Sequence, residues 1–68
     1  MQISVNGEPR AIPSQFSLQQ LLDDLGLGEK RVALEVNQSV VRRGDWSATN
    51  LREGDRVEIV HFVGGGSE

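Results

Sequence analysis

Met1-Gln2-Ile3-Ser4-Val5-Asn6-Gly7 opens the chain and decides how the rest is read. Ile3 and Val5 alternate with Gln2, Ser4 and Asn6, the period of a strand with one buried face. Asn6-Gly7 is the strongest short-range signal for a hairpin with a tight turn. A second short strand is predicted through Arg10 and Ile12, ending at Pro13, which has no N–H to give a ladder. The period then changes. Ser17 is placed as an N-cap, with Gln20 three residues on completing a capping box. Leu18, Leu21, Leu22 and Leu25 follow at helical spacing as one apolar stripe. Gly26 and Gly28 are expected to stop that helix.

Further on, Val32-Ala33-Leu34-Glu35-Val36 alternates again and is rich in β-branched residues, so a third strand is expected. Asn37-Gln38-Ser39 reads as a turn into Val40-Val41. Residues 43–50 are polar apart from Trp46 and read as a connection with one helical turn. Glu53-Gly54-Asp55 is a turn, and the last strand is predicted from Arg56 to about Val63. A hairpin covered by one helix and completed by later strands is an α+β roll. With the last strand central, beside the first and parallel to it, the fold is a ubiquitin-like β-grasp. Its mixed sheet of four to five strands packs on one main helix. Residues 1–63 are assigned to this domain and 64–68 to a flexible Gly-rich tail.

At 68 residues there is room for one modest core. With no cysteine, disulfides, thiolate metal sites and thiol catalysis are excluded. The net charge of −3 argues against a nucleic-acid partner, which needs clustered positive charge. No apolar stretch approaches the roughly 20 residues of a membrane span. The N-terminus carries no secretory pattern, so a cytoplasmic location is expected.

Gly64, Gly65 and Gly66 directly follow the last strand, and a segment without Cβ atoms can thread a slot too narrow for other residues. With Met1-Gln2-Ile3, Asn6-Gly7, the run from Val32 to Asn37, Val40-Val41, Trp46, Gly54-Asp55 and Val63-Gly64-Gly65-Gly66, the chain resembles the ThiS family over residues 1–66. These are small sulfur carriers of thiamine biosynthesis. The resemblance implies a non-enzymatic carrier with no cofactor of its own. A ubiquitin-activating-type adenylyltransferase would use ATP to convert the Gly66 carboxylate to an acyl-adenylate, with Gly65 as the second member of the diglycine. A sulfur donor would then install a thiocarboxylate, which thiazole synthase consumes. Here Gly66 is joined to Ser67-Glu68. The pair is expected to be trimmed by a peptidase or to be a cloning remnant; loss of the carrier role is the third reading. Molybdopterin synthase's small subunit, other pathway-specific sulfur carriers and a ubiquitin-like interaction or conjugation module are the alternatives.

If Val57 and Ile59 point into the core, Glu58, Val60 and Phe62 point outward. With Val63 they are assigned to the partner-binding surface, Val60 and Phe62 forming an apolar patch beside the tail. Other residues have plainer readings. His61 is a strand residue without a catalytic partner. Asp23 and Asp24 form a solvated helix face. Trp46 is a lid at the core edge. Arg42, Arg43, Arg52 and Arg56 are either solvated and paired with Glu35, Glu53 or Glu58, or contacts to an acidic partner rim. No nucleophile, base and oxyanion set can be assembled, and no metal site is read.

Overall fold

The computed structural model describes residues 1–61 of the chain. The elements are β1 (Gln2–Val5), β2 (Glu8–Ala11), α1 (Leu18–Asp24), β3 (Val32–Val36), β4 (Ser39–Val41), a 3-10 helix (Arg43–Ala48) and β5 (Arg56–His61). They form one five-stranded sheet in the order β2-β1-β5-β3-β4. β5 is central, parallel to β1 and antiparallel to β3. The β-grasp arrangement expected from the element order is therefore present.

Both hairpin turns have positive φ at both central residues: 51° and 85° at Asn6 and Gly7, 52° and 72° at Asn37 and Gln38. This geometry matches the right-handed twist of the paired strands. β2 ends at Ala11, although the Ile12 N–H still donates to the Met1 carbonyl (2.8 Å). Pro9 is tolerated because β2 is an edge strand.

α1 begins as its cap predicts. The Gln20 N–H donates to Ser17 Oγ (3.1 Å), while Gln20 Oε1 accepts from the Ser17 N–H (2.8 Å). Its end differs in detail from the expected glycine pair. Gly26 at φ 75° donates to the Asp23 carbonyl, and the Leu27 N–H donates to the Leu22 carbonyl. That is a complete Schellman motif, so Gly26 alone turns the chain and Gly28 lies beyond the cap.

Leu18, Leu21 and Leu22 are fully buried against Ile3, Leu34, Val57 and Ile59 of the sheet within one core cluster. Burying each such leucine contributes roughly 1.5–3 kcal/mol. Trp46 departs from the lid expected at the core edge: it is 1% exposed and belongs to the core. Its Nε1–H reaches the Val41 carbonyl (3.0 Å), which satisfies the polar end of a buried indole. Arg43 stacks over the ring at 4.5 Å and donates to the carbonyls of Gly28 and Lys30. The connection before β3 is thereby tied to the 3-10 helix.

Candidate functional site

Alternation sets the faces of β5. Val57 and Ile59 are buried under α1, whereas Glu58 and Val60 lie on the opposite, open face of the sheet. Val60 is 55% exposed, a large apolar residue with no cover among the described residues. Phe62, Val63, Gly64, Gly65 and Gly66, assigned to the same site from the sequence, lie outside the described residues.

Strand register extends the face sideways. Glu58 is opposite Glu35, Glu35 is opposite Val40, and Val60 is opposite Ala33. Directly paired residues share a face, so Val40, 72% exposed, joins Val60 on the open side. Glu35 and Glu58 are like charges in directly opposite positions, a mildly unfavourable pairing for the isolated sheet. Neither Val40 nor Glu35 was assigned to the site from the sequence. The signal was available in the β3–β4 turn, since its length fixes which residues of the two strands meet.

The remaining charged residues are mostly structural. None of the arginine pairings considered with Glu35, Glu53 or Glu58 forms among the described residues. Instead Arg10 pairs with Asp24 at 3.0 Å, so Asp24 is not simply a solvated carboxylate. Asp23 accepts from Gln19 (3.1 Å), and the Glu53 carboxylate accepts from the Gln2 N–H (3.0 Å). His61 is exposed at the end of β5. Among the described residues, no group of three or more His, Cys, Asp or Glu could hold a metal ion. No helix there is long and apolar enough to cross a membrane.

The backbone around β5 completes the geometry. Asn6 donates its N–H to the Val57 carbonyl (2.8 Å), and its Oδ1 accepts from the Ile59 N–H (2.7 Å). Beyond Ile59 the strand is paired with β3 alone, through to Val32 opposite His61.

Fold and site together define a ubiquitin-like β-grasp protein whose central strand, β5, carries Val60 on an open sheet face. Comparison with known proteins refines this. The family model described as "ThiS family" matches residues 3–66. A sulfur carrier protein ThiS from Thermus thermophilus is 34% identical over 62 residues, covering 91% of this chain and 95% of that protein. The crystal structure of a thiamine biosynthesis protein (ThiS) from Geobacter metallireducens superposes with a TM-score of 0.82 at 33% identity, covering 97% of this chain and all of that one. A thiazole synthase from Magnetococcus marinus is 46% identical over 66 residues, which are 97% of this chain and 20% of that protein. The chain spans about a fifth of the length of the thiazole synthases it matches. The chain belongs to the ThiS family.

Proposed function

We propose that this chain carries sulfur for thiazole formation in thiamine biosynthesis, with the Gly66 carbonyl as the reacting group. The observation that carries the reading is the ThiS family match, which runs through all three glycines to residue 66. A carboxylate is a poor electrophile until it is activated. On this reading Ser67-Glu68 is first removed. The freed Gly66 carboxylate attacks the α-phosphorus of ATP on an adenylyltransferase, and pyrophosphate leaves. Sulfide from the donor then attacks the acyl carbon, the bond to AMP breaks, and a thiocarboxylate remains. The adenylate survives only where water is excluded, and a segment without side chains is what such a narrow pocket admits. The protein itself supplies no catalytic group; ATP and the sulfur donor belong to its partners.

Thiazole synthase as the consumer of that sulfur is favoured by two relatives. The thiazole synthases of Magnetococcus marinus and Paramagnetospirillum magneticum each contain a region similar to this whole body. This favours the thiazole pathway over molybdopterin synthesis and over a conjugation role.

Fixing a residue's backbone in one conformation on docking costs roughly 1–2 kcal/mol, so the body has to contribute binding surface. Glu58, Val60, Phe62 and Val63 are assigned to it, with Val60 the described apolar residue of that set. Val60→Asp changes a side chain outside the core, so the fold is retained. Affinity for thiazole synthase is expected to fall at least about tenfold, the loss of a buried valine contact. Titration calorimetry with the full chain measures it; unchanged affinity removes Val60 from the docking face.

A further inference from the structure

We infer that the end of β5, from the Ile59 carbonyl to His61, has an open backbone edge on its β1 side that a strand of thiazole synthase completes by β-pairing, gripping the chain just before its glycines. The inference rests on the carrier reading above for the identity of the partner, and on the hydrogen bonds of β5 for the geometry.

The backbone groups of β5 divide by parity. The Val57 carbonyl accepts from Asn6 and the Ile59 N–H donates to the Asn6 side chain, so odd residues face β1. The Arg56 carbonyl accepts from the Asn37 N–H and the Arg56 N–H donates to Asn37 Oδ1, so even residues face the β3 side. β1 stops short. Its register with β5 ends at Val5 opposite Val57, and the chain turns away at Asn6-Gly7. Asn6 fills the next rung with its side chain. After that rung the Ile59 carbonyl and both backbone groups of His61 point to the β1 side with no partner among the described residues. The other side is paired with β3 up to Val32 opposite His61.

An unpaired edge inside a folded body is a ready template for another chain's backbone. Its position gives it a purpose. Side chains such as Val60 hold the body down perpendicular to the sheet, but they leave rotation about the strand axis loosely fixed. Backbone pairing at Ile59 and His61 fixes that rotation at the end of β5. The occupant is an extended segment of thiazole synthase, because two relatives carry this body within a thiazole synthase chain.

The test is amide hydrogen exchange of the full chain, free and saturated with thiazole synthase. The expected result is that the His61 amide exchanges at least about tenfold more slowly in the complex. Val60, whose amide faces β3, is protected in both states. His61→Pro removes the outward N–H without touching the β3 ladder, as proline does on an edge. It is expected to bind about fivefold more weakly than His61→Ala, the loss of one backbone hydrogen bond. A His61 amide that exchanges equally fast in a formed complex overturns the inference, as does a proline variant that binds like the alanine one. So does His61 protection that depends on protein concentration without thiazole synthase, which would make a second copy the occupant. The docking reading fails separately, if Val60→Asp leaves affinity unchanged; absence of any complex overturns both.

Discussion

Asn6 holds a left-handed backbone at φ 51° while its side-chain oxygen accepts from the Ile59 N–H 2.7 Å away. Asparagine is among the few residues that visit this region at low cost, because its short polar side chain bonds nearby backbone. Asn6→Ala loses the hydrogen bond and strains the turn, and is expected to destabilise by about 2 kcal/mol. Asn6→Gly keeps the conformation and loses mainly the bond, so about half that loss is expected. Urea unfolding of the two variants separates the contributions; equal losses would mean that the side-chain bond carries the whole effect. The turn itself was legible as Asn6-Gly7. The bond to Ile59 was not, because it joins residues 53 apart in sequence. Trp46 illustrates the same limit. A lone tryptophan in a polar stretch reads as a lid, but the 3-10 helix turns it inward to 1% exposure, where the Val41 carbonyl meets its N–H.

Elements with local rules were the most readable. Ser17 with Gln20 announced the start of α1, and both reciprocal bonds of the capping box are present. Because Ser17 is itself 8% exposed and its neighbours anchor the core, Ser17→Ala is expected to cost about 1 kcal/mol. Ser17→Thr, which keeps the hydroxyl, should lose less; thermal unfolding distinguishes them, and an alanine variant as stable as the parent contradicts the capping account. β5 was legible in a different way. Its alternation assigned Val57 and Ile59 inward and Glu58 and Val60 outward, and burial follows that pattern. Its lateral neighbours were not readable from the strand alone. That Val40 joins the face, and that Glu35 stands opposite Glu58, depends on the order β5-β3-β4 and on register. The arginines were the least legible: Arg43 meets two carbonyls and an indole in place of a carboxylate, and the ion pair that forms belongs to Arg10, which had not been singled out.

At the scale of the whole molecule, the parallel crossing from β1 to β5 places the end of the chain's central strand beside an open sheet face. A hairpin, a short helix and a 3-10 turn form the body that holds this strand in place. The ThiS family match, running to residue 66, joins that body to the glycines. The same likeness runs through part of two thiazole synthases, the enzymes proposed above to take the sulfur. The central claim is that Gly66 carries sulfur as a thiocarboxylate. It is tested most directly by intact-mass spectrometry of the protein from its native cells, before and after incubation with ATP, the adenylyltransferase and a sulfur donor. The account predicts a species ending at Gly66 that gains the mass difference between sulfur and oxygen. A chain that keeps Ser67-Glu68 and never gains that mass would contradict it.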